Sequence, residues 1–143
     1  MPTSIGIRNV HYAGQGLRAR EDDNAFPGYA NHAVVAVPPT PTQLFFESLA
    51  CCRRHSGAPV SVFVGFENDD VTVTEGAITT FKSSPGTTRG FCSRCGSTLT
   101  CATVQFPTET HYHVGAFDRA AELQPSKHFF ANEQLPWLKL NHT

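Results

Sequence analysis

The chain is short of several things that would assign it quickly. It has one methionine and one tryptophan in 143 residues, so an adaptable methionine-lined surface is excluded. Charge of one sign is missing too: the formal net charge is −1, with Lys and Arg almost balancing Asp and Glu. That leaves no basic stripe for a phosphate backbone and no polybasic segment for an anionic bilayer, so neither nucleic acid nor a membrane is an expected partner. No apolar run approaches a spanning length, and Met1-Pro2-Thr3-Ser4 lacks the charged start and apolar core of a secretory signal. Five cysteines are an odd number, so they cannot all pair within one chain, and a reducing, cytoplasmic setting is expected. Composition leaves a homo-oligomer open.

What is present is a chain of one-domain length, 40% hydrophobic, with eleven phenylalanines to build a stiff aromatic core or pocket. His32 to Val37 reads as a strand stopped by Pro38-Pro39-Thr40-Pro41. Leu44, Phe45, Leu49 and Cys52 recur at helical spacing behind Thr42, which predicts a short helix over Gln43 to Arg54. Pro59 to Phe66 alternates in period two and is the clearest strand, with aromatic Phe63 on its second face. Further strands are predicted at Val71 to Thr74, Ala77 to Lys82, Ser97 to Thr103 and His111 to Phe117, with a turn at Ser84-Pro85-Gly86. Short strands at turn-rich intervals with little helix make the expected fold mainly β, a single domain over residues 1–143.

The most specific stretch is Arg89-Gly90-Phe91-Cys92-Ser93-Arg94-Cys95-Gly96-Ser97-Thr98-Leu99, a Cys-x-x-Cys knuckle closed by glycine. Tetrahedral zinc needs four ligands, and Cys92 with Cys95 supply two. Only Cys51, Cys52 and Cys101 remain, and none forms a second Cys-x-x-Cys. Cys92 and Cys95 are therefore open to three readings: buried thiols, a disulfide, or half of a rearranged metal site. His111 and His113 share one face of a predicted strand and could ligate together, although a hydrogen-bonded strand face is the commoner outcome.

With Phe81-Lys82-Ser83-Ser84-Pro85-Gly86 ahead of it, the knuckle resembles the S-S-P-G then R-G-F-C-x-x-C-G-S-x-L signature of the glutathione-dependent formaldehyde-activating enzyme family, also called GFA or CENP-V. Cys52-Arg53-Arg54-His55-Ser56-Gly57-Ala58-Pro59 resembles the segment after that family's catalytic cysteines, and His128 with Trp137 fits its C-terminal pattern. The resemblance implies an Mss4-like β fold, two zinc sites, and carbon–sulfur chemistry joining or separating an aldehyde and glutathione. It also implies where the ligands should stand. Ile5 and Ile7 fall where the first structural cysteine pair is expected, and Glu47 and Leu49 fall at two of three catalytic positions, leaving Cys52. Structural zinc contributes on the order of 10 kcal/mol in small modules. Two buried isoleucines contribute roughly 3 to 6 kcal/mol without metal.

A site without catalytic zinc needs another acid and base, for which Glu47, Cys52, His55 and His128 are the candidates. A Glu47 carboxyl within Leu44-Phe45-Phe46-Glu47-Ser48-Leu49 would have its pKa raised if buried; on the polar side of a helix it would be an ordinary surface group. Cys52 is a nucleophile if a neighbouring Arg53 or His55 charge favours its thiolate, and otherwise a core thiol. Arg54, Phe45, Phe63, Phe129 and Trp137 are the candidate substrate-binding residues, and they suggest an aromatic small molecule. Three functions are carried forward. The first is a lyase, dehydratase, isomerase or cyclase working by acid/base catalysis without a cofactor, as in natural-product biosynthesis. The others are a zinc-dependent carbon–sulfur lyase on a glutathione adduct, holding metal through Cys92 and Cys95, and a non-catalytic binding protein.

Overall fold

The computed structural model describes residues 33–117 and 119–140. Nine strands and one α-helix follow in order: β1 (Ala33–Ala36), β2 (Gln43–Glu47), α1 (Ala50–Ser56), β3 (Ser61–Glu67), β4 (Thr72–Gly76), β5 (Thr79–Ser84), β6 (Thr87–Phe91), β7 (Thr98–Thr103), β8 (Glu109–His113) and β9 (Lys127–Phe129). β1 pairs with β4, and the other seven form one sheet in the order β5-β6-β7-β8-β3-β2-β9. Every pairing is antiparallel except β2 with β9. The fold is mainly β, as the strand spacing predicts, and belongs to the Mss4-like type.

The predicted helix over Gln43 to Arg54 is corrected: its first half is strand β2, and helix begins only at Ala50. Leu44 faces the main core with Val64, whereas Phe45 packs on Phe63 across the opposite face. A strand buried on both faces reads as a continuous apolar run, which periodicity alone cannot tell from helix. Thr42 does not cap; its N–H donates to the Gly65 carbonyl at 2.8 Å and continues the sheet. The alternation predicted through Phe117 stops at His113, where a 3-10 turn over Val114–Ala116 takes the chain off the sheet.

One face of the large sheet carries the main core, in which Leu44, Val64, Phe66, Leu99 and Tyr112 meet Val35, Val37, Phe117 and Leu123. The other face carries a smaller cluster of Phe45, Phe63 and Cys101 with Phe129 against it. Burying one such phenylalanine stabilises the fold by about 1.5 to 3 kcal/mol. Ile5 and Ile7 lie outside the described residues.

Candidate functional site

Residues directly opposite in a ladder point to the same side of the sheet. Glu47 opposes Ser61, Phe45 opposes Phe63, and Gln43 opposes Gly65; Gly65 and Cys101 both oppose His111, and Cys101 opposes Arg89. Five strands therefore bring Phe45, Glu47, His111, Cys101 and Arg89 to one face. There Phe45, Glu47, His111 and Arg89 border a cavity of about 410 Å³, which Cys51 and Cys52 of α1 and the aromatic rings of Phe106, Phe129 and Phe130 also line. A volume of that size takes a small organic molecule.

Glu47 is 8% exposed. Burial pushes its carboxyl up to about 7, helped by nearby Glu133, while the Leu49 N–H and the Arg89 charge pull the other way. One carboxyl oxygen accepts that Leu49 N–H at 3.2 Å. The start of α1 has no cap of its own, and Glu133 supplies one from the distant C-terminal segment by accepting the Ala50 N–H at 2.8 Å.

Arg89 is 4% exposed, although it carries a permanent charge. Its Nε donates to Ser83 Oγ at 3.2 Å and its Nη2 to Cys52 Sγ at a long 3.7 Å, while Nη1 has no partner among the described residues. Gly90 makes this possible from below. A Cβ there would stand 2.1 Å from Thr100 Oγ1, so only glycine lets β6 lie this close to β7. Burial pushes the Cys52 thiol up to about 12 against the pull of Arg89, so it stays protonated and is no thiolate nucleophile at neutral pH. The Arg53 charge invoked for it is turned away, toward the Ser48 and Glu133 carbonyls.

His111 forms a buried pair with Glu109, Nε2 to Oε1 at 2.7 Å, and Gln43 donates to the same carboxylate oxygen. Burial acts to raise the Glu109 pKa, but hydrogen bonds from His111, Thr42 and Gln43 outweigh it and hold the group below the usual range. An ionised Glu109 accepts a hydrogen bond from His111 Nε2 and so fixes the orientation of the ring. The ring lies edge-on to Phe45 at 5.1 Å and beside Phe106 at 5.1 Å. Gly65 gives it room, since a Cβ there would come within 3.1 Å of the imidazole.

The remaining sequence candidates scatter. Phe45 and Phe129 line the cavity, with ring centroids 4.5 Å apart, and Phe63 stands behind Phe45 at 5.7 Å. His55 does not line it: its Nε2 meets Thr98 Oγ1 at 2.8 Å beside the ring of His113. Burial lowers His113 to about 4, with His55 and Arg89 adding to the effect, and burial likewise lowers His55. His128 opposes Phe46 and so lies on the far face from Glu47, its Nε2 2.7 Å from Ser48 Oγ. Arg54 and Trp137, the latter 68% exposed, line a separate shallow groove. Arg89 and Glu109 were not among the sequence candidates, and Cys51 and His111 were weighed only as metal ligands. Arg89 stands beside Gly90 at the head of the knuckle motif, in a strand (Thr87–Phe91) that the sequence pattern did not predict.

Neither implied zinc site finds its ligands among the described residues, where no group of three or more His, Cys, Asp or Glu is placed to hold a metal. At the catalytic positions Leu49 offers no donor, and the positively charged Arg89 guanidinium lies 3.7 Å from the Cys52 sulfur. At the knuckle, Gly96 (φ +78°) closes the turn, Cys92 N–H donates to Ser97 O at 2.9 Å, and Cys95 Sγ lies 3.2 Å from Ser97 Oγ. Cys95 carries a free thiol, so the disulfide alternative is not the one formed. Burial acts to raise that thiol, but the Ser97 contacts and Cys92 prevail and lower it.

A small, mainly β frame with one aromatic-walled cavity, bordered by a buried carboxyl, a buried guanidinium and a carboxylate–histidine pair, defines a small-molecule enzyme frame. The family model for the glutathione-dependent formaldehyde-activating enzyme matches residues 36–133, and the chain belongs to that family. A crystal structure of a Rhodobacter sphaeroides protein has the same fold, with TM-score 0.54 and 17% identity over 68% of this chain and 93% of that one. No curated protein matches the chain.

Proposed function

We propose that this chain is a small-molecule enzyme of the family frame that works by acid/base catalysis without catalytic zinc, carrying out a lyase, dehydratase, isomerase or cyclase step. The observation that supports this most is Glu47, a buried carboxyl with a pKa of about 7 facing an aromatic-walled cavity shared with Arg89. A group poised near neutrality both takes and returns a proton. Arg89 would stabilise the oxyanion that forms when a proton leaves carbon, and His111, oriented by Glu109, would serve as the second acceptor. The substrate is then a small, aromatic molecule, and the setting cytoplasmic. No described helix is long and apolar enough to cross a membrane.

The test uses 5-nitrobenzisoxazole, an aromatic probe whose N–O bond breaks to give a coloured cyano-phenolate when a base removes the single C–H proton of its isoxazole ring. The reading expects a rate above that of free carboxylate, rising with pH through about 7, insensitive to chelator, and lost in Glu47→Gln. An unchanged rate in Glu47→Gln would sink it. Family membership favours a second reading, a zinc-dependent carbon–sulfur lyase on a glutathione–aldehyde adduct. Chelator-sensitive turnover of glutathione with formaldehyde, together with about one zinc per chain, would establish that reading instead.

A further inference from the structure

We infer that the cavity takes a flat aromatic acid whose carboxylate is seated on Arg89. The inference rests on the cavity being the active site, and it names the class of substrate. Arg89 is almost fully buried and cannot discharge itself by losing a proton. Its two hydrogen bonds are both to neutral acceptors, the Ser83 hydroxyl and the Cys52 thiol, and the second is long enough to be exchanged. Nη1 has no partner among the described residues, and no described carboxylate forms an ion pair with the guanidinium. A buried, uncompensated guanidinium is costly, and the cost falls when an anion arrives. Arg89 borders the cavity, and Nη2, whose only bond is the long one to Cys52, is the nitrogen that can turn to an incoming carboxylate and donate a charge-assisted hydrogen bond.

The walls define the rest of the molecule. Phe45, Phe106, Phe129 and Phe130 present aromatic surface around the space beside Arg89, which suits a ring system and offers little to a flexible peptide. Glu47 borders the same space and is mostly protonated below its pKa of about 7, where it does not repel an incoming acid.

The test is equilibrium binding of 2-naphthoate, 2-naphthamide and glutathione to the whole chain at pH 6.5, by calorimetry. 2-Naphthoate should bind at least ~10-fold more tightly than its neutral amide, on the order of one charge-assisted hydrogen bond. In Arg89→Gln the two should bind within ~2-fold of each other. Because Arg89 is interior and that variant can fail to fold, the acid–amide comparison on the wild type stands as evidence alone. Equal binding of acid and amide by the wild type overturns the inference, as does glutathione displacing naphthoate at equal concentration. The two claims separate cleanly. Loss of the acid preference with Glu47-dependent ring opening intact refutes the carboxylate seat only, and a retained preference with Glu47-independent ring opening refutes the acid/base reading only.

Discussion

Glu47 makes the residue-scale consequence measurable without any substrate. Its carboxyl sits near the usual value of about 4.5 in an unfolded chain and at about 7 in the fold. Between those values the folded state binds more proton than the unfolded state, so stability falls as pH rises through that window. The contribution is fully present below about 4.5 and lost above about 7. Glu47→Gln, which keeps the shape and removes the titration, should therefore flatten the fall in Tm between about pH 5 and about pH 7; identical slopes in the two proteins would show that Glu47 is not buried as described. At the neighbouring position, Cys52→Ala should leave ring opening of the benzisoxazole within about 3-fold, since a thiol held protonated contributes no nucleophile at neutral pH. A loss of 100-fold would return Cys52 to the reaction.

At the scale of elements, the site depends on strands lying unusually close, and Gly90 is where this is tightest. An added Cβ would meet Thr100 Oγ1 at 2.1 Å and Ile78 Cγ2 at 2.6 Å, neither of which is the far end of a flexible side chain. Gly90→Ala should cost about 1 to 3 kcal/mol through overpacking, read from the urea midpoint, and adding Thr100→Ala should recover part of it. Strand β3 was legible in the sequence because one face alternates cleanly, and the Ser84-Pro85-Gly86 turn was legible because glycine and proline mark it; Gly86 takes φ +77°. Strand β2 was not. Its residues are buried on both sides, one by the main core and one by the aromatic cluster, so no polar beat marks the strand period. The same blindness hid half the site. Phe45, Glu47 and Phe129 could be named from composition and the family pattern, but Arg89 reaches Cys52 and the Glu47 cavity only through the register β6-β7-β8-β3-β2, a product of long-range pairing. His128 failed to join Glu47 for a local reason: it is one residue out of phase with Phe129, and in a strand one residue reverses the face.

For the molecule as a whole, the question is what holds the family frame together. The described residues supply a packed answer: an aliphatic and aromatic core on one face of the seven-stranded sheet, an aromatic cluster on the other, and a C-terminal segment tied back through Glu133 to the start of α1. The knuckle keeps its shape through backbone hydrogen bonds and the left-handed Gly96, neither of which requires a metal. A structural zinc contributing on the order of 10 kcal/mol would be comparable with the whole net stability of a typical domain, and stripping it would unfold the chain. Without such a contribution, overnight dialysis against a strong chelator should move Tm by less than about 2 °C, and Cys95→Ser, a change at a half-buried side chain, should cost under about 1 kcal/mol. Unfolding on chelation, with close to one zinc released per chain, would mean that ligands from outside the described residues complete the knuckle, and that the frame is still a zinc frame.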